Sequence, residues 1–126
     1  MAIQSFQILP DQKRLVTWGL PGEVDTGTEQ VISVHLDGPH EAIAVWMRAK
    51  TAPTGAALIV DINEDGVSLF STRPQVDAGA NEGGGNAVFS DTSLADNAKI
   101  TLDVDQVGSS VKGSDLTVIL EVKCLG

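Results

Sequence analysis

TAPTGAALIVDINEDGVSLF, residues Thr51 to Phe70, decides the fold class. Apolar residues fall at alternate positions (Leu58, Val60, Ile62), the chain meets Asp65-Gly66, and it returns through Val67 and Leu69. A period of two marks a half-buried strand, because successive side chains of extended backbone point to opposite faces. Asp-Gly between two such runs predicts a two-residue type I′ turn, whose central residues both need positive φ. A slip of one residue would carry Leu58, Val60 and Ile62 into water, so one face of this hairpin belongs to a core. Ala52-Pro53-Thr54-Gly55, just before it, reads as another turn.

The same period recurs downstream. In KITLDVDQVG (Lys99–Gly108) Ile100, Leu102 and Val104 face one way and Asp103 and Asp105 the other. In DLTVILEVK (Asp115–Lys123) the set to be buried is Leu116, Val118, Leu120 and Val122, and Gly108 to Gly113 supplies the connecting loop. Upstream, Val31–Leu36 alternates and is ended by Asp37-Gly38-Pro39. EAIAVWMRAK (Glu41–Lys50) reads as a strand with Ile43, Val45 and Met47 on one face and Trp46 on the other, although Ala42, Val45, Trp46 and Ala49 would also line a helix. Asp77–Ala87, with three consecutive glycines, is expected to be a mobile loop. Val88-Phe89 is expected to be a short strand, and Asp91–Asn97 to be turn-rich with room for one helical turn. Six to eight strands and no clear helix predict an all-β fold, an antiparallel β-sandwich of jelly-roll type. Residues 1–22, interrupted at Pro10 and turning at Pro21-Gly22, are assigned to an N-terminal arm, and residues 23–126 to the sandwich domain. The arm has two courses open to it: an edge strand on its own sheet, or a crossing to a neighbouring subunit.

Composition narrows function by exclusion. A chain of 126 residues can bury a core without disulfides or a structural metal. Seventeen acidic against eight basic residues give a net charge of −9, a surface that repels nucleic acid and anionic membranes. Five aromatic residues, none of them tyrosine, argue against stacking platforms for single strands or sugars. Cys124 is the sole cysteine and reads as a passive thiol. The first twenty residues lack the apolar core of a secretory leader, and no apolar run is long enough to span a bilayer, so synthesis in a cytoplasm is expected.

Motifs for chemistry are partial. Asp61, Asn63, Asp65 and Gly66 reproduce the opening of a calcium loop, but its twelfth position is Thr72 where a bidentate glutamate is needed. Asp103 and Asp105 stand roughly 6.6 Å apart along one strand, a spacing that suits paired carboxylates and also the wet face of a sheet. His35 and His40, with Asp37 or Glu41, lack the spacing of a metal site. No serine sits in a nucleophile elbow and the glycine-rich stretch is no phosphate loop. The expectation is a protein without catalytic residues or cofactor.

Two segments carry a family resemblance: IAVWMRAKTAPTGAALIVDINEDGVSLFST (Ile43–Thr72) and ITLDVDQVGSSVKGSDLTVILEV (Ile100–Val122). They resemble a small β-sandwich domain recurrent in structural proteins of tailed bacteriophages, over about two-thirds of the chain. The resemblance implies a non-enzymatic virion component and transfers no functional residue. Together with the short chain and the lack of a fibrous shaft, it leads to the expectation of a capsid decoration, or cement, protein on the outer shell. Its partner would be the major capsid protein, and it would be a homo-oligomer, a trimer favoured over a dimer. The alternative is a receptor- or glycan-binding module of a tail appendage, using the Asp77–Ala87 loop.

Overall fold

The computed structural model describes residues 12–31 and 33–125. In chain order the strands are β1 (Lys13–Glu23), β2 (Val34–His35), β3 (His40–Thr51), β4 (Leu58–Glu64), β5 (Val67–Ser68) and β6 (Phe70–Thr72). They continue with β7 (Gln75–Val76), β8 (Glu82–Gly83), β9 (Val88–Phe89), β10 (Ser93–Leu94), β11 (Lys99–Gln106) and β12 (Ser114–Cys124). The described residues contain no helix, and all strand pairs are antiparallel. The all-β, sandwich-like expectation holds.

One large sheet runs β1-β12-β3-β8-β7-β4-β11-β2 and curls until it nearly closes. The long strands β1, β12 and β3 make one layer, β4 and β11 the other, and the short β8 and β7 join them. Between the layers lies one apolar cluster. Leu58, Val60, Ile62, Ile100, Leu102, Leu116, Val118, Leu120 and Val122 are wholly buried in it, as their alternation required. Each such side chain contributes on the order of 1.5–3 kcal/mol through removal from water. The Asp65-Gly66 turn forms as read: both residues have positive φ (48° and 87°), and Glu64 pairs with Val67 across it.

Several local expectations fail, each for a physical reason. Val67 sits at the tip of that hairpin, past the end of the core, and is 66% exposed. Ile43 is exposed because β3 bulges there: Glu121 faces Ala44 while Val122 faces Ala42, so the extra residue changes which parity points inward. Glu41–Lys50 is nonetheless strand, within β3. Pro21-Gly22 makes no turn; it is a bulge inside β1 between Leu20 and Glu23, with Gly22 at φ 77°. Among the described residues of the Val31–Leu36 run, only Val34 and His35 are strand, with His35 paired to Lys99 and Val34 to Ile100. Asp91–Asn97 holds β10, paired with β3, and no helical turn.

Of the expected arm, residues 1–11 lie outside the described residues. Lys13–Glu23 takes the first of its two courses, an edge strand on its own sheet, antiparallel to β12. Asp77–Ala87 is not a free loop. Gly83 pairs with Val76 on one side and with Met47 on the other, making β8 the strap between the two layers.

Candidate functional site

The outer face of the β1-β12-β3 layer is built by strict register. Thr17, Ile119 and Trp46 form one row across the three strands, Leu15, Glu121 and Ala44 the next, and Gly19, Thr117 and Arg48 the row on the other side. Odd positions of β1 and β12 point outward because the even ones, Val16, Trp18, Leu116 and Val118 among them, fill the core. The bulge at Ile43 turns Trp46 outward while Val45 and Met47 stay inside. Trp46 is left 56% exposed and Leu15 63%. Beside Trp46 opens a groove of about 550 Å³, lined by Met47, Arg48, Glu82, Gly83 and Ile119.

Ion pairs frame this apolar strip. Arg48 pairs with Glu82 at one margin; Lys13–Glu121 (3.8 Å) and Lys123–Glu41 (3.7 Å) stand at the other. Exposed pairs of this kind add little stability, about 0–1 kcal/mol each. Their consequence is a layer that is nearly neutral. β1, β3 and β12 hold five of the eight basic residues and four of the seventeen acidic ones, so the rest of the chain carries thirteen acidic against three basic. An apolar centre with a polar rim, on the one layer without net repulsion, has the anatomy of a protein contact.

No family model, no curated protein and no solved structure matches this chain. Its chemistry is therefore read from its own geometry.

The opposite layer carries the acids singled out in sequence. Asp61 and Asp103 are cross-strand neighbours on β4 and β11. The chain next to β4 leaves its edge at Phe70, pairs β6 with β9, and rejoins where Val60 N donates to the Pro74 carbonyl. Asp61 faces that excursion and is buried: Ser68 Oγ donates to it at 2.6 Å and Arg73 Nε stands 3.3 Å away. Arg73 also reaches Asp105 at 3.2 Å. Asp103 turns elsewhere, accepting from Asn63 Nδ2 and from the Glu29 amide. Asp103 and Asp105 therefore do not converge on a common point. Nor do the three candidate calcium ligands: Asp61 and Asn63 sit on a strand with separate partners, and Asp65 accepts from the Lys99 amide at 3.0 Å. His35 bonds Asn97, and His40, wholly buried, bonds the Gly38 carbonyl through Nδ1. Among the described residues no group of three His, Cys, Asp or Glu side chains is placed to hold a metal.

Sequence reasoning noted Trp46 as outward-facing but not the charge contrast between layers, which needs the pairing of β1 with β12. It missed the burial of Asp61, whose cover comes from residues seven to twelve positions on.

Burial raises the Asp61 pKa above its ordinary value of 3.8, against the opposing pull of Ser68 and Arg73. A raised acid favours the folded state most below its unfolded pKa, and that contribution is lost as pH climbs through the folded value. The stability of Asp61→Asn relative to the parent is therefore expected to rise with pH from about 3.8 upward, read by urea unfolding at several pH values. A difference that falls with pH would mean that Arg73 and Ser68 outweigh burial.

Proposed function

We propose that this protein is a non-enzymatic structural component of a virion, a decoration protein that docks on the outer shell of a capsid through the β1-β12-β3 face. The observation that carries the docking mode is the exposed Trp46 strip on a charge-balanced layer, set against an acidic opposite side. A protein that holds neighbouring subunits together needs a broad contact face and no enclosed cleft. With the Trp46 face on the shell, exposed acids of the opposite side such as Asp65 and Asp105 face solvent and discourage stray association. The virion assignment rests on the resemblance of Ile43–Thr72 and Ile100–Val122 to a phage structural domain. The partner in this reading is the major capsid protein, and the bound form is a homo-oligomer, trimer before dimer.

Purified protein is expected to bind capsids stripped of it and to raise their rupture temperature, followed by sedimentation and thermal release of DNA. Absence of binding from low to high salt would sink the reading. A second reading has one observation in its favour: Trp46 stands beside Arg48, Glu82 and Thr117 in an open groove, the arrangement of a ring that stacks on a sugar. In that case the protein is a glycan-binding module of a tail appendage, and a glycan array would return saturable, Trp46-dependent hits.

A further inference from the structure

β3 begins at His40 and β12 ends at Cys124, and the register sets these two residues opposite each other. The Cys124 amide turns to its other neighbour and donates to the Gln12 carbonyl, while the Leu125 amide donates to the Pro39 carbonyl. His40 and Cys124 are therefore a non-hydrogen-bonded pair, the kind in which Cα atoms lie about 4.5 Å apart and side chains stand closest. His40 is wholly buried and Cys124 is 2% exposed, so both side chains point to the inner face of the sheet. His40 Nδ1 lies 2.9 Å from the Gly38 carbonyl. A carbonyl only accepts, so Nδ1 carries the proton and Nε2 a bare lone pair. That lone pair has no hydrogen-bond partner among the described residues, and the Cys124 thiol is free. Native proteins rarely bury a polar atom in this way. Beside the pair on the inner face are Ala42, Val122 and, across from His40 on β10, Leu94, all buried and apolar.

We propose that His40 Nε2 and Cys124 Sγ form a two-coordinate site for a soft monovalent metal ion of the Cu(I) class. A histidine that ligates through one ring nitrogen ordinarily donates its other N–H to a carbonyl or carboxylate, and the Gly38 contact is that arrangement. Thiolate and imidazole suit soft ions, and the apolar walls offer no oxygen ligand to a hard one. Zinc asks for four ligands, whereas Cu(I) accepts two in a line; the described residues bring no third His, Cys, Asp or Glu to the pair. Binding breaks the Sγ–H bond, releases the proton to solvent and forms an Sγ–metal bond, with no change in the oxidation state of sulfur or metal. Thiolate, cation and neutral imidazole sum to zero, so the apolar walls bury no net charge. Both ligands are terminal residues of their strands, where fraying admits an ion. The two ligands meet only in the folded chain, so the ion would stabilise it by joining the start of β3 to the end of β12. This inference stands apart from the docking role of Trp46, which is on the outer face of the sheet.

The probe is Ag(I), which has the charge and ligand preference of Cu(I) without its redox chemistry, added to the full chain in chloride-free buffer. Native mass spectrometry is expected to count one ion per chain. The nitrogen NMR signal of His40 Nε2 is expected to move upfield from the position of a bare imidazole nitrogen. At saturation the unfolding midpoint should rise by at least about 5 °C. Affinity, read by competition with glutathione, should fall at least about tenfold in His40→Phe and be lost in Cys124→Ala. Should His40→Phe fail to fold, the Nε2 signal of the parent chain decides alone. An ion held with Nε2 unmoved, or held as tightly by His40→Phe as by the parent, would be bound by the thiol only and would overturn the site. A parent chain that takes up no ion at one equivalent would overturn it as well.

Discussion

Alanine at Gly83 is expected to lower the free energy of unfolding by about 2–4 kcal/mol, and alanine two residues on, at Gly85, to leave it unchanged or raise it by about 0.5 kcal/mol. The three consecutive glycines are alike in sequence and unlike in surroundings. A Cβ at Gly83 would stand 2.0 Å from the Gln75 carbonyl oxygen and 2.8 Å from Val76 Cα, both backbone atoms that cannot rotate aside. At Gly84 it would meet the Val45 oxygen at 2.8 Å, with φ at +95° adding strain. At Gly85 it would meet nothing within 4 Å. Because β8 stands between β3 and β7 in the sheet path, forcing it away also uncovers the edges of both layers. Chemical denaturation of the three alanine variants separates them, with Gly84→Ala falling on the side of Gly83. Three equal and small effects would mean that the glycine-rich segment does not run between the sheets.

That series also marks the boundary of what local sequence could tell. Leu58, Val60 and Ile62, Ile100 to Val104, and Leu116 to Val122 were legible because a period of two is a property of neighbours, and Asp65-Gly66 because a two-residue turn is closed by the residues beside it. Gly83 was not. Its glycine is required by the backbone of Gln75 and Val76, its place in the sheet is set by Met47 thirty-six residues before it, and the sequence around it looks like any flexible linker. Ile43 failed for a related reason: one bulge against Glu121 and Val122 inverts the parity on which the reading of its face depended. At the candidate site the outward direction of Trp46 was visible, but the assembly of Thr17, Ile119 and Trp46 into one row joins segments about thirty and seventy positions apart in the chain.

The two tryptophans should therefore part company under the same substitution. Trp18 lies in the core beneath β1 at 3% exposure, so Trp18→Ala is expected to cost about 3–5 kcal/mol of stability. Trp46 rises from the opposite surface of the same layer, and Trp46→Ala is expected to change unfolding by no more than about 0.5 kcal/mol. Its effect should appear on binding. A central aromatic anchor, rimmed by Arg48–Glu82 and Lys13–Glu121, typically supplies about 2–4 kcal/mol of an interface, or roughly 30- to 1,000-fold in affinity. The measurement is titration of stripped capsids with the parent and with Trp46→Ala, alongside thermal unfolding of each alone. Iodide quenching of the surviving tryptophan in Trp18→Phe and Trp46→Phe gives an independent reading, with Trp46 quenched in the free protein and shielded in the complex. Should Trp46→Ala bind shells as tightly as the parent, the contact would have to lie off the β1-β12-β3 face. The remaining outer surface belongs to the acidic layer, where Asp61, Asp103 and Asp105 are already engaged with Ser68, Arg73 and Asn63. A partner there would have to be basic, and its affinity would fall steeply with added salt, whereas docking on the Trp46 strip should vary little with it.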